Sequence, residues 1–226
     1  MSTAAAASPN FDAPSRDAVY RAIHQRRDMR HFAGGAIADA TLRRLLEAAH
    51  AAPSVGLSQP WRFIRITDTA LRESIHALVR EEVVRTADAL GSRREAFLQL
   101  KVEGIRDCAE LLVVAVADGG AQELFGRRTL PEMSLASVAC AIQNLWLAAR
   151  AEQLGMGWVS MFEPEAIAAL LALPAGCKPI AVLCLGPVDA FYAAPMLQEQ
   201  RWRQPRALDE LLSENRWPQT DATSRV

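Results

Sequence analysis

A chain of 226 residues, half of them hydrophobic, suits one domain of generous size or one domain with arms, with enough apolar content for a sizeable core. Its net charge of −1 excludes a global field that would gather nucleic acid or an anionic membrane, so each basic cluster has to be judged locally. No apolar run is long enough to cross a bilayer.

Residues 1–14, MSTAAAASPNFDAP, lack a basic start and a long apolar stretch, so they read as a flexible arm and not as a signal peptide. The chain is accordingly expected to be soluble and cytoplasmic. Ser15 can cap a helix over RDAVYRAIHQRR, where Val19 and Ile23 recur at helical spacing. Gly34 and Gly35 break that pattern. Asp39 is placed to cap ATLRRLLEAAHAA, with Leu42, Leu45, Leu46 and Ala49 on one face, and Pro53 ends it. APSVGLSQPW is a loop by composition, and RFIRITD alternates like a strand. Residues 69–104 read as helical with a break near Gly91.

ELLVVAVAD is a continuous apolar run, which predicts a buried central strand. GGAQELFGRRTLPE is a loop. MSLASVACAIQNLWLAARAEQLG predicts a long helix that is apolar on nearly every side. MGWVSMF reads as a short strand, EPEAIAALLAL as a helix started by Pro164, and KPIAVLCLGPV as a buried strand stopped by Gly186 and Pro187. From Asp189 the chain turns polar, with Tyr192, Trp202 and Trp217 along an extended C-terminal arm, and 219–226 form a tail. Helices and strands mix without strict alternation, which predicts an α+β fold with residues 15–218 as a single domain. Two readings of the apolar helix stand: a dimer whose arms embrace the partner, or a monomer that covers the helix fully.

The residues with chemical potential start at RRDMR. If the helix ends near Arg27, the turn can converge Arg26, Arg27 and Arg30, and convergent guanidiniums bind phosphate or carboxylate. The alternative is a solvated helix end. Asp28 either pairs with an arginine or serves as a base or acceptor aimed at a ligand. The PSVGLSQP loop offers hydroxyls and free backbone N–H groups to a polar ligand edge, or is an ordinary connection. Gly155 and Gly157 at a strand start permit close backbone approach, but Ser160 stands where a dinucleotide fingerprint would need its third glycine. No nucleophile elbow surrounds Ser160, and no Walker-type phosphate loop is present. Lys101, Arg106 and Arg203 are each either surface charges or part of one phosphate clamp. His24, His31, His50 and His76 show no metal-ligand spacing, and Cys108, Cys140, Cys177 and Cys184 read as buried free thiols.

The segments RRDMR, AAHAAPSVGLSQPWRF, AIQNLWLAARAEQLGMGWVS and the WR of the arm, in this order, resemble the flavin-dependent nitroreductase superfamily from about residue 17 to the end of the arm. RRDMR, PSVGLSQPW, LKVEGIR and NLWLAARAEQLGMGWVS carry a closer likeness to its flavin-destroying branch. Ordinary members usually have a serine where Asp28 stands, and an asparagine in the loop that here holds Leu57 and Ser58.

The resemblance implies a nitroreductase-like flavoprotein fold, with a central mixed sheet flanked by helices, an extended C-terminal arm, and a homodimer with FMN at the subunit interface. It implies that Arg26, Arg27 and Arg30 hold the FMN phosphate and ribityl chain, and that Ser54 and Leu57 touch the flavin. Gly157, Val159 and Ser160 would lie along the ring, Arg203 would reach the phosphate from the partner's arm, and Lys101 joins the set less directly. The implied reaction takes reduced FMN and O2 to 5,6-dimethylbenzimidazole, the lower ligand of cobalamin, and erythrose 4-phosphate. Asp28 would manage protons and Ser160 would donate a hydrogen bond near the ring. NAD(P)H would act only indirectly, through a separate flavin reductase, and no metal, nucleic acid or membrane is expected.

Overall fold

The first helix is capped by Asp12, whose carboxylate accepts the Ser15 N–H at 2.9 Å, so its cap stands three residues before the predicted one. It comes from a computed structural model that describes residues 10–117 and 125–217. The expectations for residues 1–9, for the first half of the GGAQELFGRRTLPE loop and for the tail fall outside these. Helix α1 (Ala13–Gln25) buries none of its residues. Helix α2 (Asp39–His50) buries Leu42, Leu45 and Ala49; Ala38 is the residue at its cap, and Asp39 lies in the first turn, where a carboxylate favours the helix dipole. Helix α3 (Thr69–Ala89) is capped by Asp68 through the Leu71 N–H at 2.8 Å. The predicted helix does not continue to residue 104. Gly91 takes φ +55°, one 3-10 turn follows, and α4 (Arg94–Leu98) is short.

Strands β1 (Trp61–Arg65), β2 (Glu110–Ala117), β3 (Gly155–Val159) and β4 (Cys177–Gly186) form one sheet in the order β1-β2-β4-β3. All three ladders are antiparallel, and the parallel component is an isolated bridge between Asp28 and Met156. Leu112 and Val114 of β2 and Leu183 and Leu185 of β4 meet α2 and helix α5 (Met133–Ala151) in one core cluster. Their neighbours Leu111, Val113, Val182 and Cys184 point to the opposite face and are equally buried, and there helix α6 (Pro164–Leu170) packs on β4. Cover on both faces explains why β2 and β4 read as continuous apolar runs although they are antiparallel.

Cys108 and Cys184 are buried, but Cys177 is only half-buried and Cys140 is exposed on the outward stripe of α5, contrary to the expectation of four buried thiols. All four are free. The chain divides into two compact units, the first ending at Tyr192 and the second beginning at Ala193. The second contains helix α7 (Met196–Glu199) and one 3-10 turn (Leu208–Glu210), so the arm is not extended throughout. Among the described residues no helix is long and apolar enough to cross a membrane.

β3 is an edge strand, and residues 28–30 lie against its outer side, with the Met29 N–H donating to Met156 O at 2.9 Å. Gly157 sits under that contact. A Cβ there would collide with the Met29 carbonyl and stand 2.6 Å from Arg30 Nη1. Gly157→Ala is therefore expected to destabilise the fold by about 1–3 kcal/mol, the usual cost of overpacking. At this chain size that lowers the melting temperature by roughly 2–4 °C per kcal/mol; thermal denaturation of the variant against the wild type checks it.

Candidate functional site

If the parallel pairing begun at Asp28 and Met156 simply continued, the Trp158 N–H would go to the Met29 carbonyl and the His31 N–H to the Trp158 carbonyl. Both bonds are intercepted by side chains. Asp28 Oδ1 accepts the Trp158 N–H at 3.0 Å, and Arg30 Nη2 donates to Trp158 O at 2.9 Å. The two intercepting groups also pair with each other, Arg30 Nη2 to Asp28 Oδ2 at 2.5 Å. The RRDMR turn is thus the edge closure of β3, built half from backbone and half from a charged pair.

The three arginines take different positions. Arg30 is 8% exposed and committed to Asp28 and Trp158. Its Nη1 is buried without a hydrogen-bond partner among the described residues. Arg27 Nη1 donates to the carbonyls of His24 and Arg26, which closes the end of α1. Arg26 lies over the Trp146 ring, 4.4 Å from its centroid, and its guanidinium donors find no protein acceptor among the described residues. Burial pulls the Arg26 guanidinium below its ordinary range, Asp28 raises it, and Arg27 lowers it. Trp146 also donates Nε1–H to Arg27 O at 3.1 Å, tying the turn to α5.

Burial pushes the Asp28 carboxyl above the usual carboxylate range; Arg30, the Trp158 N–H and Arg26 pull the other way without cancelling it. Its side chain remains 44% accessible, so it can still exchange protons with solvent or a ligand.

Ser160 follows β3 directly, is exposed, and lines a cavity of about 490 Å³ together with Ser134, Leu135, Phe162, Lys178 and Ile180. At its wall the buried Arg127 donates to Ser134 Oγ at 3.0 Å. Val159 is buried in β3 beside it. Ser54 and Leu57 belong to the loop before β1, which rests on α5 through the Val55 N–H to Ser137 Oγ at 3.1 Å. Sequence composition suggested free N–H groups here; instead Leu57 donates to Ser54 O, Ser58 to Val55 O and Gln59 to Ser54 Oγ. Leu57 itself is 79% exposed at φ 55°, an unusual backbone conformation for a branched apolar residue.

The remaining candidates are placed apart. Lys101 is paired with Asp107 at 2.5 Å and Arg106 with Glu73. Arg203 lies in the second unit, with its N–H on Leu197 O at 3.2 Å. Sequence reasoning missed Trp146, Trp158, Ser137 and Arg127 as parts of this region, and noted Tyr192 only as an aromatic of the arm. Among the described residues no cluster of three or more His, Cys, Asp or Glu could hold a metal ion.

The model of the nitroreductase family matches residues 23–187. The chain belongs to the nitroreductase family. Within that family it is 40% identical over 200 residues to a 5,6-dimethylbenzimidazole synthase of Rhodospirillum rubrum, covering 88% of this chain and 95% of the relative. A protein of the same name from Rhodobacter capsulatus is 37% identical over 197 residues, covering 86% of this chain and 95% of the relative. Among solved structures, a Desulfovibrio desulfuricans protein in complex with FMN is 26% identical with a TM-score of 0.63, covering 88% of this chain and 98% of that one.

The raised Asp28 carboxyl has a consequence for stability. A carboxyl that is easier to protonate in the folded state than in the unfolded state gives its full contribution below the ordinary value of 3.8 and loses it as pH rises through the folded value. In urea denaturation from pH 3.5 to 7, the stability of the wild type relative to Asp28→Asn is expected to fall with rising pH. A difference that stays flat or rises would show that the ion pair with Arg30 outweighs burial.

Proposed function

We propose that this protein makes 5,6-dimethylbenzimidazole by oxygen-dependent cleavage and contraction of reduced FMN, releasing erythrose 4-phosphate. The observation that carries the reading is likeness to two synthases of that product over nearly their whole lengths. The geometry supports it at the two ends of the ligand. For the phosphate there is Arg26, a half-buried guanidinium resting on Trp146 with its donors unspent among the described residues; Arg27 adds local charge, and Arg203 is the candidate contributed by a second copy's arm. For the ring there are Ser160 and the cavity it lines, with the β3 backbone at Gly157 and Val159 and the loop at Ser54 and Leu57. Lys101 joins only if it leaves Asp107.

Reduced FMN, as substrate, supplies the electrons that O2 takes up and the carbon that closes the benzimidazole ring. The chain's own work is then positional and protonic. Arg26 orients the phosphate end. Arg30 does not bind phosphate on this reading but holds the Asp28 carboxylate in one orientation, with Oδ1 fixed by the Trp158 N–H. Asp28, with its raised carboxyl, takes and returns a proton near the ribityl carbon whose bond breaks. Ser160 donates a hydrogen bond at the ring from the cavity wall. Reduced flavin would be delivered by a separate reductase that draws on NAD(P)H.

A homodimer completes this reading. Helix α1 buries none of its residues and exposes Val19, Tyr20 and Ile23, while α5 exposes Leu135, Ala136 and Cys140 along one stripe. A second copy of the chain is the partner that fits a repeated apolar surface of this kind. Ala136→Arg is expected to shift the sedimentation coefficient from that of a dimer to that of a monomer.

The activity is tested by mixing the purified protein with separately reduced FMN, admitting air and following products by chromatography and mass. Benzimidazole should appear as flavin disappears. Asp28→Asn should lower the rate by about 100-fold or more, the range of proton transfer by a positioned group, and Ser160→Ala should lower the yield. Return of oxidised FMN without product, together with direct NAD(P)H consumption, would instead identify a reductase that retains its flavin.

A further inference from the structure

The interception of the β3 edge leaves one backbone group without its natural acceptor. Arg30 Nη2 occupies Trp158 O where the ladder would have placed the His31 N–H, and that N–H goes elsewhere. The acceptor that replaces it is a side chain 161 residues away, the phenol oxygen of Tyr192, at 3.3 Å. The same oxygen accepts the Arg30 N–H at 3.1 Å. It also lies 2.6 Å from Nδ1 of the His31 ring, which meets the tyrosine ring edge-on.

A tyrosine hydroxyl has one proton to give and two lone pairs. The two N–H groups occupy the lone pairs, so the hydroxyl proton goes to His31 Nδ1. In that arrangement His31 Nδ1 is the acceptor. All three capacities of the phenol are spent on residues 30 and 31. Ala33, two residues on, donates its N–H to Pro187 O at 2.9 Å. The chain is therefore held on both sides of the point where it leaves β3.

The orientation of residues 30 and 31 decides where the Arg30 guanidinium lands. Only Nη2 of that group bonds Asp28 and Trp158, and among the described residues Nη1 has no partner to hold it otherwise. A change in the peptide planes at 30 and 31 would draw Nη2 away from Asp28 Oδ2. We infer that Tyr192, assisted by His31, is a positioning residue for the reaction: it fixes the peptides from which Arg30 reaches Asp28. The inference rests on the reading that Asp28 does the proton work.

The test uses the full chain with separately reduced FMN and air. In Tyr192→Phe the maximal rate of benzimidazole formation should fall by about 10- to 100-fold, the scale of a misplaced catalytic group. The reduced FMN concentration giving half that rate should change by less than about threefold, as expected when placement and not binding is lost. The limb of the pH–rate profile that belongs to Asp28 should move to higher pH, since Arg30 is what holds that carboxyl down; a merely structural role would not move it. His31→Asn, which offers an amide oxygen where Nδ1 stood, should recover most of the rate lost in His31→Leu. Should Tyr192→Phe fail to fold, His31→Leu removes only the ring acceptor and carries the same comparison. An unchanged rate and pH profile in these variants, with Asp28→Asn inactive, overturns this inference alone. Full product yield from Asp28→Asn overturns the reading beneath it.

Discussion

The charged pair between Asp28 and Arg30, set across the backbone of Trp158, is the constraint on which the site depends. An edge strand presents unpaired N–H and C=O groups and must be closed by something. Here a parallel partner strand starts and is abandoned after one bridge, and its remaining bonds pass to a carboxylate and a guanidinium. That choice forces the neighbouring features. Gly157 has no room for a Cβ, Trp146 takes the carbonyl of Arg27, and Tyr192 takes the N–H groups of Arg30 and His31. An ion pair with one partner buried recovers little net stability after desolvation. What the arrangement provides is a carboxyl held in one place with one oxygen on a peptide N–H and the other on a cation.

The three arginines of RRDMR would repel one another if they were all aimed at a common point. The structure separates them by neighbour. Arg27 turns to backbone carbonyls, Arg30 turns inward to Asp28, and Arg26 rests on the face of Trp146. Only the last keeps its donors for an outside anion. Lys101 and Arg106 are balanced by Asp107 and Glu73, which is how a chain of net charge −1 carries so many cations without a broad positive surface.

Most elements were legible because their cause is local. The apolar face of α2, the all-round apolarity of α5, Pro164 at the start of α6 and the runs of β2 and β4 each stand in the sequence at the right period. The cap of α1 was misread because Asp12 and Ser15 are both good capping residues, and only the backbone shows that the helix starts at Ala13. The break expected near Gly91 is a left-handed turn, but the helical stretch beyond it stops at Leu98 and does not reach residue 104. The site was legible in composition and not in assignment. Spacing shows that Asp28 and Arg30 are near each other, but their roles come from the free edge of β3, more than a hundred residues away. Gly157 was read as room for a flat ring, and the structure gives it a nearer cause in the carbonyl of Met29. Tyr192 carries no local signal at all, since its three bonds all go to residues 30 and 31.

The same two influences that place Asp28 also set its proton affinity, and they oppose each other. Burial favours the neutral acid, while Arg30, the Trp158 N–H and Arg26 favour the anion. If the cations prevailed, the carboxyl would be a permanent anion with no proton to lend. Burial leads, so a displacement of Arg30 would move the carboxyl further toward its protonated form. Control over Arg30 is therefore control over the proton, and the groups that locate Arg30 matter to the chemistry without touching the substrate.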